Sequence, residues 1–539
     1  MSENKVWKSH YPETIQPDIQ IPDLSIPQLL QQTAERYPNY NALSFYSQKT
    51  TYGELQNLVN GFASALQQSG VKAGDRVAIM LPNCPQYVIT YYGVLTAGAI
   101  VTQVNPMLVE RELQHILEDS GAETIVVYEP LYEQVKKQQH VSPLKRIISV
   151  SFDENPKDFS PDWSFSQFLQ SGTRRIDPAA IAPEQDVAVL QYTGGTTGRS
   201  KGAMLTHKNI IANVLQSHEF FKDNIEIGKE KYLTVIPLFH VFGMTSCMNL
   251  AIYTASESIL LPRFDINEVL QTIKKEQPTV FPGVPTMYVA ITNHPEAENF
   301  GIESIKVCNS GSAPMPVELL QDFERKTGSK ILEGYGLSEA SPTTHCNPMF
   351  SEQKEGSVGI GLPSTDYHIV DLATGTEDVK TGELGELIIK GPQVMKGYWN
   401  MPEETEHTLR NGWLYTGDIA KMDDDGYVFI MDRKKDLIIA SGYNIYPREV
   451  EEVLYEFPSV QEAVVIGVPD AYRGEDVKAI VVLKAGKTAT EDEIIYYCKQ
   501  NLSAYKIPHI IEFREQLPKT NVGKILRRAL REEARIKTR

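Results

Sequence analysis

Cysteine is scarce in this chain of 539 residues, with five thiols at Cys84, Cys247, Cys308, Cys346 and Cys498, no CxxC pair and no histidine at metal-ligand spacing. That pattern excludes a disulfide-stapled framework and a zinc module, and it suits a reducing compartment. Long apolar runs are missing too. The uncharged stretch 87–104 and the stretch 232–256, which holds His240, are both interrupted by Gly, Thr, Asn or Gln, and the second contains Pro237. Each is expected to form buried helix plus strand rather than a membrane span. Positive charge is in deficit, since 52 Lys and Arg against 69 Asp and Glu give a formal charge of -17, which excludes a general nucleic-acid binder. The start, Met1-Ser-Glu-Asn-Lys-Val-Trp-Lys8, has neither the apolar core of a signal peptide nor the arginine-rich look of a transit peptide, so a cytoplasmic location is expected. The last twenty or so residues are rich in lysine and arginine, which reads either as a solvated helix or as a basic face for a polyphosphate or an anionic surface.

What the chain has in quantity is alternation. From about Leu43, apolar β-rich runs such as Asp75-Arg-Val-Ala-Ile-Met80, Glu123-Thr-Ile-Val-Val-Tyr128, Lys231-Tyr-Leu-Thr-Val-Ile236 and Pro278-Thr-Val-Phe281 recur between amphipathic segments. This predicts an α/β fold built of layers, and the length predicts more than one domain. After Gly359 the texture becomes short alternating strands with turn signals, which predicts a small β-rich subdomain over about 359–431 with a hairpin turn at Asp423-Asp-Asp-Gly426. Beyond Asp432 the pattern helix, strand, strand, helix, strand predicts a small α+β domain over 432–539, joined to a large domain over 1–431 by the charged junction Asp432-Arg-Lys-Lys-Asp436.

The densest chemical signal is Tyr192-Thr-Gly-Gly-Thr-Thr-Gly-Arg-Ser-Lys-Gly202. Its glycines Gly194, Gly195 and Gly198 let backbone N–H groups approach an oxyanion, Thr193, Thr196 and Thr197 add hydroxyl donors, and Lys201 adds a point charge. The apolar run Val187-Ala-Val-Leu190 before it reads as a buried strand, and Thr206 is placed to cap a helix starting near His207. A Walker A loop is excluded, because Ser200 rather than glycine precedes Lys201 and Gly202 follows it.

Three further residues carry chemistry. Glu339 ends the glycine-rich run Glu333-Gly-Tyr-Gly-Leu-Ser-Glu339, where a carboxylate beside a triphosphate suits Mg²⁺. Asp418, after the turn Tyr415-Thr-Gly, offers paired oxygens to two neighbouring ribose hydroxyls. Lys524 follows Gly523 in a proline-entered loop, where a lysine can neutralise charge developing in a transition state. Taken singly, the two acids are equally ordinary turn residues and the lysine an ordinary surface one.

The order of these features along the chain resembles the superfamily of adenylate-forming enzymes, which includes acyl-CoA synthetases, firefly luciferase and the adenylation domains of peptide synthetases. The resemblance covers nearly the whole sequence. The loop 192–202, Ile236-Pro-Leu-Phe-His-Val-Phe-Gly-Met244 and Ser441-Gly-Tyr-Asn-Ile-Tyr-Pro-Arg-Glu449 look most like bacterial long-chain fatty-acid CoA ligases. The resemblance implies a two-step reaction, acid plus ATP giving acyl-AMP and pyrophosphate, then acyl-AMP plus coenzyme A giving acyl-CoA and AMP.

Residue by residue it implies that Thr193 to Lys201 hold the β- and γ-phosphates, that Glu339 binds magnesium and that Asp418 and Arg433 hold the ribose. Gly311, Ser312 and Ala313 would line the adenine site, with Gly334 and Tyr335 stacking across from them and Ser338 a further nucleotide-binding residue, and Lys524 would bridge the α-phosphate and the attacking carboxylate. Asp432 would be the pivot of a mobile C-terminal domain whose other face brings Ser441, Gly442 and Tyr443 to the site for thioester formation. Lys506 and Arg473 could meet the nucleotide end of CoA. His240 would stand between acyl tunnel and nucleotide, a place that a core histidine explains almost as well, and Val241, Met244 and Gly283 would line the acyl channel. Gly194 and Ser200 depart from the Ser or Thr and the Pro of many relatives. A medium-chain or aryl-acid CoA ligase, and a non-catalytic acyl-AMP or acyl-CoA binding protein, are the alternatives. Peripheral contact with the inner face of a membrane and a homodimer stay open.

Overall fold

Hydroxyl side chains set several of the helix starts. Ser25, Thr51, Ser164, Thr206 and Thr490 each accept from the backbone N–H three residues on, while a Gln, Glu or Asn at that position reaches back to the cap, so two otherwise unpaired N–H groups are satisfied at once. Thr206 starts the helix His207–Phe221, as its place after an apolar run predicted, with its Oγ1 3.1 Å from the Asn209 nitrogen. The computed structural model describes residues 5–153, 162–172, 176, 179–193, 200–313, 315, 317–440, 443–470, 473–520 and 523–537.

Among the described residues the strands form four sheets. One holds, in order, Ile360–Gly361, Thr343–Cys346, Ile331–Gly336, Val307–Ser310, Val280–Gly283, Lys231–Thr234, Glu257–Leu260, Asn41–Phe45 and Gln48–Thr51. It is parallel from Asn41–Phe45 through Ile331–Gly336 and antiparallel at both ends. The second runs Gly397–Tyr398, Lys201–Thr206, Val187–Thr193, Ile100–Gln103, Arg76–Met80, Thr124–Tyr128, Arg146–Val150 and Trp163–Ser164. Its parallel strands are buried on both faces, which explains why they read as continuous apolar runs rather than alternating ones.

A third, antiparallel sheet joins Asp366–Val370, Gly385–Lys390, Trp413–Met422, Leu409–Arg410 and Val428–Arg433, with the 423–426 turn closing the hairpin. This is the β-rich segment expected after Gly359. The fourth sheet belongs to the smaller C-terminal domain and contains Tyr443–Ile445, Ile438–Ala440, Gly474–Leu483, Val460–Asp470 and Ile510–Phe513. Its faces bury two apolar clusters, one around Val450, Leu454, Val465, Val481 and Ile494, the other around Ile466, Ile480, Leu517 and Leu530. The short hairpin 438–445 has too few alternating residues to stand out from the loop pattern, and sequence reasoning passed over it.

The two uncharged stretches are interior elements. Residues 87–104 form most of the helix Pro85–Thr96 and the buried strand Ile100–Gln103, and 232–256 contains a buried π-helical segment, Gly243–Asn249. No helix among the described residues is long and apolar enough to cross a membrane. All five cysteines are buried and free.

Candidate active site

The antiparallel pairing of Val187–Thr193 with Lys201–Thr206 sets Thr193 directly opposite Lys201. Gly194, Gly195, Thr196, Thr197 and Gly198 of the glycine-rich turn lie outside the described residues. Its base is anchored twice, by the Tyr192 hydroxyl donating to Asp119 at 2.6 Å and by the His115 ring nitrogen 3.0 Å from the Ser200 carbonyl. Lys201 pairs with the Glu404 carboxylate, and its ammonium lies 5.4 Å from the centre of the Tyr398 ring. Tyr398 in turn donates to Glu339 Oε1 at 2.7 Å. The strand Gly397–Tyr398 pairs with Lys201–Thr206, so this edge pairing is what sets Glu339 near the base of the turn.

Asp418 is buried on the strand Trp413–Met422 and stands in register with Arg433 on Val428–Arg433, with Arg433 Nε 2.6 Å from Asp418 Oδ1. Tyr335 donates its hydroxyl to the other oxygen of the same carboxylate. Burial, and then the Asp418 charge, push the Tyr335 phenol well above its ordinary range, so it remains a donor. A positive φ of 71° at Gly417 turns the chain just before Asp418.

Lys524 arrives from the other end of the chain. The loop that carries it is pinned by Lys524 N–H donating to Thr520 Oγ1 at 3.1 Å and by Thr520 N–H donating to the Lys524 carbonyl at 2.8 Å. Gly523 has a φ of 71°, and a Cβ there would come within 2.5 Å of Thr286 Oγ1 on the helix Pro285–Asn293. Only a residue without a side chain lets the loop approach that closely. Arg433 first, and burial second, bring the Lys524 ammonium down to about 8, partly offset by Asp418.

Behind it, Asp432 is buried between Arg527, whose Nη1 lies 3.1 Å from its Oδ1, and the backbone N–H groups of Arg433 and Arg448 at 2.7 and 3.1 Å. Arg527 also forks onto Glu451. Arg448 donates to the Ile430 carbonyl at 2.6 Å and approaches Glu333 at 3.9 Å, where burial pushes the Glu333 carboxyl up to about 7.

One cleft of about 2560 Å³ gathers these groups. It is lined by Thr193, Lys201, Gly311, Ser312, Ala313, Gly334, Tyr335, Ser338, Glu339, Asp418, Asp432, Arg433 and Lys524, and also by His240 and Val241. Loss of water around the His240 ring, reinforced by the Lys524 charge, brings it down to about 4, so it is neutral at physiological pH. Its Nδ1 accepts from the Phe242 N–H at 3.3 Å, which leaves the ring proton on Nε2. The neighbouring walls are apolar, with Phe239, Phe242, Val289 and Ala290.

Met244 and Gly283 are not cleft residues, against expectation. Met244 is fully buried with its sulfur 3.4 Å from the Gln103 side-chain nitrogen, and the Tyr288 ring fills the space beside Gly283, 2.8 Å from where a Cβ would stand. Tyr443 begins the strand Tyr443–Ile445 of the fourth sheet, while Ser441 and Gly442 lie outside the described residues. Arg473 and Lys506 are engaged elsewhere, Arg473 with Asp476 and His509, Lys506 with Glu449 at 2.7 Å. Sequence reasoning missed Tyr398, Glu404, Thr286 and Arg448, because each meets the site only through a strand edge or an interdomain contact.

Known proteins resemble this chain over nearly its whole length. A long-chain-fatty-acid–CoA ligase of Bacillus subtilis (strain 168) is 48% identical, with 99% of each chain covered. A ligase of the same name from Salmonella typhimurium is 39% identical over 98% of each chain. Among solved structures, ATP-bound MatB from Rhodopseudomonas palustris matches with a TM-score of 0.88 at 28% identity, covering 96% of this chain and all of that one. The AMP-binding enzyme model matches residues 30–399, and the AMP-binding enzyme C-terminal domain model matches residues 449–524, the stretch that ends on Lys524. With the larger match alone covering well over half of its length, the chain belongs to the AMP-binding enzyme family.

Proposed function

We propose that this protein is an AMP-forming ligase that joins a long-chain fatty acid to coenzyme A. The observation that carries this reading is the convergence, in one cleft, of Lys201 from the second sheet, Glu339 and Asp418 from the large domain, and Lys524 from the C-terminal loop. A carboxylate is a poor acyl donor, so its oxygen attacks the α-phosphorus of ATP, pyrophosphate leaves, and the resulting mixed anhydride is open to a thiol. In the second step the CoA sulfur attacks the acyl carbon and AMP leaves.

In this reading Asp418 accepts from the ribose hydroxyls while Arg433 and Tyr335 hold its carboxylate in place. Gly311, Ser312, Ala313, Gly334 and Ser338 form the adenine wall. Lys201 and Thr193 hold the terminal phosphates, and Lys524 sits between α-phosphate and acid, where its charge is needed as negative charge builds up. Neutral His240 separates this polar half from the apolar walls at Val241, Val289 and Ala290, which suit an alkyl chain.

Among the described residues no three His, Cys, Asp or Glu side chains converge on one point. A single carboxylate, Glu339, together with phosphate oxygens, is nevertheless a donor set that suits Mg²⁺. Bound there, the ion would screen the polyphosphate charge.

The boundary between the domains lies at Asp432, and the present orientation, with Lys524 facing the cleft, fits the first half-reaction. Turning about Asp432 would withdraw Lys524 and bring up the strand that begins at Tyr443 for the second. The test is release of AMP and pyrophosphate with Mg·ATP and CoA across acids from acetate to oleate, with p-coumarate and several amino acids, and the thioester confirmed by mass. A maximum at long acyl chains is expected. A maximum at aryl or short acids would overturn the substrate assignment, and no turnover with any acid would overturn the enzymatic reading.

A further inference from the structure

Lys201 has a partner that the chemistry of phosphate binding does not call for. Its side chain is only 13% exposed, it contacts the Glu404 carboxylate, and its ammonium lies over the Tyr398 ring. Glu404 is 38% exposed and sits in the first turn of the short helix Pro402–Thr408, beside the strand that carries Tyr398. Both partners line the cleft, as do Tyr398 and Glu339. Two carboxylates therefore flank Tyr398 on different terms: Glu339 accepts its hydroxyl, and Glu404 holds the lysine above its ring.

A polyphosphate that uses Lys201 must share or take over an ammonium already engaged by an internal anion. Sharing is unfavourable, because a carboxylate and a phosphate at contact distance repel and the recessed lysine has little water to screen them. Displacement is open to Glu404, since its half-exposed side chain can turn out to solvent from the helix end, whereas Lys201 is confined by its strand and by the Tyr398 ring.

We propose that Glu404 is a positioning residue that competes with the polyphosphate of the nucleotide for Lys201, weakening ATP binding and favouring pyrophosphate departure after the adenylate forms. The inference rests on the reading of Lys201 as a phosphate ligand. It assigns Glu404 no contact with the adenosine half of the nucleotide, so nucleotides without β- and γ-phosphates are indifferent to it.

The experiment measures binding of a non-hydrolysable ATP analogue and of AMP to the full-length protein, by calorimetry with magnesium present, together with product inhibition by pyrophosphate. Glu404→Gln is expected to tighten the analogue about three- to tenfold, to tighten pyrophosphate inhibition in parallel, and to leave AMP affinity within about twofold. Glu404→Asp, which keeps the charge, should move back toward wild type. An analogue bound no more tightly by Glu404→Gln, or AMP tightened to the same degree, would overturn the proposal. So would a raised magnesium requirement, which would make Glu404 a metal ligand. Lys201→Ala separates the two layers. Weaker analogue binding by Lys201→Ala beside an unchanged Glu404→Gln removes only the competition, whereas unchanged binding by Lys201→Ala removes the phosphate-ligand reading and the proposal with it.

Discussion

Arg433 Nε lies 2.6 Å from Asp418 Oδ1, across two antiparallel strands whose register sets these residues opposite each other. Asp418 is buried while Arg433 reaches back from the first residues of the proposed interdomain junction, so the acid proposed to hold the ribose and the segment proposed to turn are tied by one ion pair. In the proposed reading, occupancy of the nucleotide site and the position of the junction would be coupled through this carboxylate.

Asp418→Asn keeps the size of the side chain and removes its charge, which leaves Arg433 unneutralised in a partly buried place and halves the acceptor capacity facing the ribose. The KM for ATP is expected to rise about 10- to 100-fold, corresponding to about 1.4–2.8 kcal/mol, while the KM for the acid changes far less. Initial-rate kinetics with ATP varied at saturating acid and CoA check this, and equal effects on both constants would count against a ribose role.

Lys524→Ala should cripple formation of acyl-AMP by at least about 100-fold, consistent with loss of a charge aimed at the transition state, yet slow thioester formation from supplied acyl-AMP much less. Gly523→Ala should act in the same direction more weakly, because a Cβ there meets Thr286 Oγ1 at 2.5 Å and the backbone has a φ of 71°. Assaying each half-reaction separately decides the matter. Equal loss of both steps in both variants would refute the assignment of this docked orientation to adenylation.

The alkaline limb of the first step follows from the same lysine. Lys524 acts as a cation and is held down to about 8, so its charged fraction in the free enzyme falls as pH rises through that value. The kcat/KM of acyl-AMP formation for ATP should therefore decline above about pH 8. Since Arg433 is the largest cause of the depression, Arg433→Gln should carry that decline to higher pH. A limb that stays in place would mean that another group titrates there.

Glu333 gives a stability test with a defined sign. Its buried carboxyl is raised from 4.5 to about 7, so between those values the folded chain binds more protons than the unfolded one, and the group's contribution falls as pH rises through the window. Glu333→Gln abolishes that titration. Relative to wild type, the variant should gain on the order of 1–3 kcal/mol between pH 4.5 and 7.5, with no further gain above. Thermal unfolding midpoints across the range check it, and a pH-independent difference would show that Glu333 does not titrate there.

Much of the fold was legible because local rules and tertiary structure agree here. Thr206 caps where an apolar strand ends, and the runs at 76–80 and 124–128 are strands because a parallel sheet buries both faces. Part of the cleft was legible for a related reason. The phosphate, metal, ribose and transition-state roles proposed for Thr193, Glu339, Asp418 and Lys524 each call for a particular residue type beside a glycine or a turn, and that pattern is visible in the local sequence.

What the sequence by itself determined, then, is the α/β character, the order of the elements and part of the chemical inventory of the cleft, because periodicity, caps and turns act over a few neighbouring residues. Only the tertiary structure decided which groups meet. The Glu404 carboxylate on Lys201, the Tyr398 hydroxyl on Glu339 and Gly523 against Thr286 join residues 203, 59 and 237 positions apart through strand-edge pairing and the seating of the C-terminal loop. The same packing withdrew Met244 and Gly283 from the cleft, since Gln103 and Tyr288 occupy the space on that side. Contacts of this kind depend on how sheets and domains stack, and no short window of sequence encodes a distance between two of them.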